Sequence, residues 1–127
     1  MSFPFDPAQG PIRVEAEVSG PTGRSNLRLR LDTGATTSLV DPVMLVAVGY
    51  DPAASTDRVQ LTMGNGVASV SRVVLTRLTA LGQHGFGFPV LSHPLPPEAG
   101  TDGLLGLDFL RGRVLTLDFR SGLATLA

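Results

Sequence analysis

The sequence predicts a mainly β fold with one short helix, and two observations indicate the β class. Its 15 Gly and 10 Pro residues are spread along 127 residues and divide the chain into short segments. In many of these segments apolar and polar side chains alternate, as they do in a strand with one buried face. Short alternating runs between turn residues are typical of strands joined by tight turns. The length suffices for one modest hydrophobic core, so we expect a single domain over residues 1–127.

The first predicted element is a β-hairpin. Apolar and polar residues alternate over 12–18 and again over 27–31, and the segment 20–23, Gly-Pro-Thr-Gly, supplies turn residues between the two runs. Both strands should therefore lie side by side and bury one common face.

The predicted helix follows the second strand. Asp41 has the side chain of an N-cap, Pro42 suits the first helical position, and Gly49 can end the helix. The apolar body between them, residues 43–48, is less than two turns long. The sequence thus predicts a short helix after the first hairpin.

A second hairpin is predicted over residues 58–81. Its turn lies at Gly64-Asn65-Gly66, because Asn-Gly favours the left-handed dihedrals of a type I′ turn. A tip with two glycines has little side-chain packing of its own, so we expect it to be mobile. Four further strands are predicted near residues 86–91, 104–105, 113–119 and 123–126, with a proline-rich loop over 93–97.

Composition and charge exclude several classes of function. The formal net charge is −1 and the ten basic residues, all Arg, are scattered, so there is no basic stripe for nucleic acid. Without Cys the chain has no disulfide, no thiolate nucleophile and no Cys-ligated zinc. His84 and His93 lack the paired spacing of metal ligands, so we expect neither a metal nor a cofactor. With no signal peptide and no membrane-spanning segment in the sequence, we expect a cytoplasmic protein, while excision from a longer protein stays open.

The segment Asp32-Thr33-Gly34-Ala35 carries the strongest indication of chemistry. Hydrolysis by carboxyl groups needs two of them sharing a proton, so that one accepts a proton from water while the other donates to the carbonyl. Asp and Gly also favour tight turns, and the first three residues by themselves would fit an Asx turn. Their setting favours catalysis, because they follow an alternating strand, continue into small residues at 35–37 and precede a capped helix.

This arrangement resembles the retropepsin-like family of aspartic peptidases, whose signature is Asp-Thr/Ser-Gly-Ala/Ser between apolar residues. The similarity extends over nearly the whole chain. It includes the first hairpin, the short helix, a glycine-tipped flap at 63–67 and the apolar-apolar-Gly element Leu104-Leu105-Gly106, followed by residues 107–110. It implies a closed, mainly antiparallel acid-protease barrel with one short helix, and a dimer. Residues 1–10 would form a disordered or dimer-contacting arm.

The resemblance also assigns roles to single residues. Asp32 is the expected catalytic carboxylate, the Thr33 hydroxyl would brace the partner's loop, and Gly34 would offer its backbone to substrate. Ala35 and Thr36 complete the active-site loop. Pepsin-like catalysis needs two such Asp residues and the chain has one motif, so the second Asp32 would come from another copy in a two-fold homodimer. The expected substrate-binding flap consists of Met63, Gly64, Asn65 and Gly66.

The implied function is that of an aspartic endopeptidase, which hydrolyses peptide bonds with a water activated between two Asp32 carboxylates. Its partners would be a second copy of itself and a peptide or protein substrate in extended conformation. Two alternatives stay open: a non-catalytic peptide-binding or dimerisation module on the same fold, and a self-processing domain of a larger polypeptide. Of the acids that flank Leu104-Leu105-Gly106, we expect Asp102 to lie in a turn and Asp108 to cap a short helix.

Overall fold

The computed structural model describes the backbone of residues 1–127 and every side chain except that of Met63. It contains ten strands, two short α-helices and two 3-10 helices, at Pro52–Ala54 and Pro97–Ala99, and thus confirms the mainly β class. In chain order the strands and α-helices are β1 (Phe3–Pro4), β2 (Arg13–Gly20), β3 (Gly23–Leu31), β4 (Leu39–Val40), α1 (Pro42–Ala47), β5 (Arg58–Met63), β6 (Gly66–Ala80), β7 (Gln83–Ser92), β8 (Gly103–Leu105), α2 (Leu107–Leu110), β9 (Leu115–Asp118) and β10 (Leu123–Leu126).

Six strands close into a barrel in the order β2-β3-β8-β4-β7-β6, because β6 also pairs with β2. The pairs β3–β8 and β4–β7 are parallel, and the other four neighbouring pairs are antiparallel. Strand β5 pairs with the first half of β6 and extends this hairpin beyond the barrel. The closed, mainly antiparallel barrel expected from the resemblance is confirmed.

Strand β8 inserts between β3 and β4. Leu31 at the end of β3 pairs with Leu105, and Leu39 at the start of β4 pairs with Leu104. The chain between β3 and β4 must therefore leave the sheet to pass around the end of β8. Residues 32–38 make this excursion, which is how the topology brings the Asp-Thr-Gly segment out of the barrel wall.

The first hairpin agrees with its prediction. Gly20 pairs with Gly23, which leaves Pro21 and Thr22 as the loop. The alternation in the sequence marks the face that β2 and β3 bury in the barrel. The inward side chains, none more than 6% exposed, are those of Val14, Ala16, Val18, Leu27 and Leu29.

Helix α1 also begins as predicted. The Asp41 carboxylate accepts a hydrogen bond from the N–H of Val43 (2.9 Å), and Pro42 is the first helical residue. The helix ends at Ala47, and Gly49 then turns the chain with a φ of 98°. Cap and stop signals that are local in sequence thus set both ends of α1.

The resemblance implied one short helix, but a second, α2, is present where Asp108 was expected to cap a short helix. It has four residues, and its Phe109 and Leu110 are buried in the main core. The N-cap is Gly106 and Asp108 lies inside the first turn, so the expectation that Asp108 caps this helix is wrong. The physical reason is that the Asp108 carboxylate accepts hydrogen bonds from Ser38 instead.

The type I′ turn predicted at the tip of the β5–β6 hairpin is wrong. The register leaves Gly64 and Asn65 as the two loop residues. A type I′ turn requires positive φ at both, and the φ of Asn65 is not positive, whereas that of Gly66 is 133°. The tip is therefore a two-residue turn of another type.

A turn with positive φ at both central residues joins β6 to β7. It consists of Leu81 (φ 52°) and Gly82 (φ 75°), between the paired Ala80 and Gln83. A left-handed backbone costs a non-glycine residue roughly 1–2 kcal/mol. The Leu81 side chain is 2% exposed, and its burial offsets that cost.

Two clusters of hydrophobic side chains support the barrel. The larger fills its interior and extends to α1 and α2. The smaller cluster, centred on Leu39, Val70 and Leu91, also contacts the partly buried Val59 and Leu61 of β5. Within the described residues, no helix is long and apolar enough to cross a membrane.

The two ends of the chain meet in a separate three-stranded sheet, β1-β10-β9. Phe3 pairs with Ala124, and Phe5 packs edge-on against Phe119 with ring centroids 5.3 Å apart. In the turn after β9, hydrogen bonds from the Ser121 side chain and from nearby backbone N–H groups lower the pKa of Asp118 below its usual 3.8. An ionised Asp118 therefore stabilises the turn between β9 and β10.

Candidate active site

Asp32 begins the loop that leaves β3. Its N–H donates to the carbonyl of Leu105 (3.0 Å), and its carbonyl accepts from the N–H of Ala35 (3.1 Å). Its Oδ1 accepts from the N–H of Gly34 (2.9 Å), which is the local bond of an Asx turn. The side chain is half-buried, and among the described residues no group donates to Oδ2. The loop thus holds one carboxylate oxygen in place and leaves the other available to a ligand.

Gly34 both donates a hydrogen bond to the Asp32 carboxylate and leaves room for it. Its N–H is committed to Asp32, so its carbonyl is the backbone group that remains for a ligand. A Cβ at this position would lie 3.2 Å from Asp32 Oδ1, closer than side chains ordinarily approach. A residue larger than glycine would therefore disturb the carboxylate.

The corner between β8 and α2 packs directly against the back of the loop. Leu107 N–H donates to the carbonyl of Ala35 (2.8 Å), and Asp108 N–H to that of Thr36 (3.2 Å). Gly106 is buried at this contact, and a Cβ there would lie 2.7 Å from the Ala35 carbonyl oxygen. Only glycine allows the two backbones to approach so closely.

A buried network joins Ser38 to the same corner. Ser38 is fully buried; its hydroxyl donates to Asp108 Oδ1 (2.7 Å) and accepts from the N–H of Gly106 (2.9 Å). Its N–H donates to the other carboxylate oxygen, Oδ2 (2.9 Å). Sequence reasoning missed this network. The signals that could have found it were a polar residue beside the buried pair at 39–40 and an acid two residues after Gly106.

A cleft of about 910 Å³ opens in front of Asp32, a size in the range of ligand pockets. One wall is the active-site loop, and the opposite wall comes from β5 and β7 and the loop after β7. The side chains of the second wall are mainly apolar, which suits the burial of apolar ligand groups. Its members include Val59, Gln60, Leu61, Thr62, Phe88, Pro89, Leu91 and Leu95.

Among the described residues, four ionisable side chains line the cleft: Asp32, Arg72, His93 and Asp108. Both oxygens of Asp108 bind Ser38, so its carboxylate is occupied with holding the loop. Arg72 lies 3.8 Å from Asp57, with both side chains about half exposed. Asp32 is thus the carboxylate of the cleft that retains a free oxygen.

The structure brings together some of the predicted site residues and not others. Four of the five predicted loop residues line the cleft: Asp32, Gly34, Ala35 and Thr36. Thr33 is exposed and does not line it. At the hairpin tip, Gly64, Asn65 and Gly66 are exposed and do not line the cleft, and the side chain of Met63 lies outside the described part of the structure. Residues 59–62 of the same hairpin form the wall instead. Sequence reasoning did not identify them, although the alternation of Val59 and Leu61 marks a face of β5.

The described part of the chain offers no ready donor set for a metal centre. Among the described residues, no group of three or more His, Cys, Asp or Glu side chains is close enough to hold an ion.

Comparisons with known proteins point to one family. A family model described as "Aspartyl protease" matches residues 14–109, and a search of curated proteins finds no match. Among solved structures, the chain is similar to a retropepsin-like aspartic protease from Rickettsia conorii, with 16% identity and a TM-score of 0.68 over 100% of this chain and 91% of that one. It is also similar to the EIAV protease in complex with the inhibitor HBY-793, with 17% identity and a TM-score of 0.62 over 82% of this chain and 88% of that one. At these identities the two structures establish a shared retropepsin-like fold.

Proposed function

The chain belongs to the aspartyl protease family, and on that premise we propose that it is an aspartic endopeptidase active as a homodimer. The observation that carries the proposal is the half-buried Asp32 in a largely apolar cleft, with Oδ1 held by the Gly34 N–H and Oδ2 free. Two such carboxylates that meet across a two-fold axis make the pair that hydrolysis by a water needs.

The other acids near the loop do not offer the second carboxyl group. Asp108 is bonded through both oxygens to the buried Ser38. Asp102 accepts the N–H of Arg28 at 2.8 Å, in a segment whose backbone is also bonded to β3. Since both carboxylates serve the fold, a second copy of Asp32 is the better source. The exposed Thr33 next to it suits a contact between the two loops.

In the dimer, one Asp32 is ionised and the other protonated, because two adjacent carboxylates repel each other when both are charged. The ionised carboxylate takes a proton from water as the water oxygen attacks the peptide carbonyl carbon. The protonated carboxyl donates its proton to the carbonyl oxygen, which yields a gem-diol. One hydroxyl of the gem-diol then gives its proton to the ionised carboxylate, while the protonated carboxyl gives its proton to the peptide nitrogen. The C–N bond breaks as these protons move. Amine and carboxylic acid leave, and the pair again shares one proton.

The substrate is a peptide or protein segment in extended conformation. It lies between the active-site loop and the β5–β6 hairpin, where Val59 and Leu61 present apolar side chains. Gly64, Asn65 and Gly66 at the tip would close over the bound chain as a flap, with Met63 beside them. The Gly34 carbonyl is then available to accept an N–H of the substrate backbone.

The test is cleavage of a peptide library and of a denatured protein by wild type, Asp32→Asn and Asp51→Asn. Asp51 is exposed and does not line the cleft, so its variant is a matched control for loss of one charge. We expect wild type and Asp51→Asn to cleave, pepstatin-type inhibitors to block them, and Asp32→Asn to be inactive while folded. Undiminished cleavage by Asp32→Asn would refute the proposal.

The same experiment addresses the non-catalytic alternative. A peptide-binding module would bind library peptides equally well as wild type and as Asp32→Asn, without turnover in either. Mass spectrometry of the expressed chain would identify cleavage of its own sequence, as a self-processing domain requires.

A further inference from the structure

One arginine stands in the cleft. The chain has no Lys, and Arg72 is the only Arg among the described residues that line the cleft. Its backbone is fixed within the sheet, since its N–H donates to the Asp57 carbonyl (2.8 Å) and it pairs with Leu91 of β7. The position of the side chain therefore follows from the barrel itself and not from a mobile loop.

The guanidinium of Arg72 is weakly engaged within the protein. Its nearest acid is Asp57, with Nε and Oδ2 3.8 Å apart and side chains 43% and 55% exposed. An exposed pair at that separation contributes little, so the guanidinium retains donors for an incoming group. The planar fork of five N–H donors matches a carboxylate, which it can bind through two parallel bonds.

The surroundings of Arg72 restrict which part of a ligand reaches it. Four side chains of the smaller hydrophobic cluster line the same cleft: Val59, Leu61, Leu91 and Leu95. Apolar neighbours exclude part of the water around a bound carboxylate and so strengthen its attraction to the guanidinium. Close to the cleaved bond, by contrast, a substrate acid would be repelled by Asp32.

We propose that Arg72 is a specificity-determining residue, which binds an acidic side chain of the substrate at one fixed distance from the cleaved bond. This inference rests on the proposed function, since it names the substrate class of the same cleft. The preferred substrates are extended peptides that place Glu or Asp at Arg72 and apolar side chains against β5 and β7.

The test uses one cleaved peptide in which Glu, Gln or Lys is placed singly at each position on both sides of the bond. At one position of the peptide we expect wild type to favour Glu over Gln about fivefold in kcat/KM. This ratio corresponds to the upper end of the stabilisation that a partly exposed ion pair provides. Arg72→Gln should remove this preference, and Arg72→Glu should favour Lys instead. Arg24→Gln, which removes an exposed arginine outside the cleft, should leave it unchanged.

Asp57 provides an independent test, because its carboxylate competes with the substrate for the guanidinium. Asp57→Asn should increase the preference for Glu, whereas a purely structural Asp57–Arg72 pair would predict no change. Added salt should weaken the preference in wild type, as expected for partly exposed charges. Unfolding temperatures of all variants are measured to confirm that each is folded.

The inference is overturned if wild type shows no position with a Glu preference, or if the preference persists in Arg72→Gln. Failure of the proposed function is separately visible. If no peptide is cleaved, equilibrium binding of the same peptides to wild type and Arg72→Gln is measured by fluorescence anisotropy. A Glu preference that depends on Arg72 would then support the inference without turnover, and its absence would end it.

Discussion

At the scale of single residues, Ser38 and Asp108 determine how firmly the active-site loop is held. Ser38 is fully buried, and its N–H, its hydroxyl hydrogen and one hydroxyl lone pair each have a partner within 2.9 Å. Two of these three bonds end on the Asp108 carboxylate. Because a buried donor without an acceptor is costly, the loop has one favourable conformation against the β8–α2 corner.

Asp108→Ala is expected to destabilise the protein by about 2–4 kcal/mol, because both donors of Ser38 would lose their acceptors. Asp108→Asn keeps one acceptor oxygen and should cost about half as much. Urea unfolding measures the free energy of unfolding of both variants, and Asp51→Asn is the control for loss of an exposed acid. We also expect Asp108→Asn to retain turnover that Asp32→Asn lacks. Equal stability of Asp108→Ala and the control would contradict this account of the loop.

At the scale of elements, the β5–β6 hairpin combines a packed base with an open tip. Val59 and Leu61 near its base contact the smaller hydrophobic cluster, whereas a Cβ added at Gly64 or Gly66 would meet no atom within 4 Å. These two glycines therefore lie in open space in the single chain, which fits a flap that becomes ordered over a ligand. The two glycines differ in backbone, since only Gly66 has a positive φ.

Gly64→Ala should therefore leave the free energy of unfolding within about 0.5 kcal/mol of wild type, while Gly66→Ala is strained and less stable. If the tip is a flap, Gly64→Ala should nevertheless lower kcat/KM, because the turn closes less freely. Chemical unfolding and steady-state kinetics measure the two effects separately. Unchanged kinetic constants in Gly64→Ala would argue for an ordinary exposed hairpin.

The turn between β6 and β7 leads to another prediction at this scale. Leu81 has a left-handed backbone and a buried side chain, so Leu81→Ala loses burial but keeps the strain. Leu81→Gly also loses the buried Cβ, at a cost of about 0.8 kcal/mol, but relieves roughly 1–2 kcal/mol of strain. We expect Leu81→Gly to be at least as stable as Leu81→Ala, the reverse of the order usual within strands. Thermal unfolding of the two variants measures which is more stable. A clearly less stable Leu81→Gly would show that the backbone strain at Leu81 is negligible.

At the scale of the whole molecule, the barrel presents one Asp32 where the proposed reaction needs two. The loop is braced from behind by β8 and α2, while Thr33 and Gly34 remain exposed. A second copy related by a two-fold axis would complete both the acid pair and the cleft. Activity should consequently depend on assembly and not only on folding.

We expect specific activity to fall as the protein is diluted below the dissociation constant of the dimer. Activity and sedimentation are measured over the same range of concentrations. Two copies joined by a flexible linker into one polypeptide should keep their specific activity on dilution. The same linked dimer with Asp32→Asn in one copy should be inactive at every concentration. Constant specific activity in a demonstrated monomer would rule out a shared site.

The sequence by itself determined the features that depend on neighbouring residues. Alternation marked the buried faces of β2 and β3, Asp41 and Pro42 marked the start of α1, and Asp-Thr-Gly marked the loop after β3 that lines the cleft. Each follows from chemistry within a few residues, where periodicity and capping act. The same logic failed at Gly64-Asn65-Gly66, because the register of β5 with β6 selects the turn residues and local preference does not.

Only the tertiary structure decided the features that join distant segments. The insertion of β8 between β3 and β4 brings Asp108 to Ser38, 70 residues away in sequence, and the pairing of β6 with β5 and β7 sets these two strands and Arg72 around the cleft. Such pairings leave no periodic pattern in the chain. They depend on the close approach that Gly106 permits, on the burial that compensates the strain at Leu81, and on hydrogen bonds that form only once the barrel has closed.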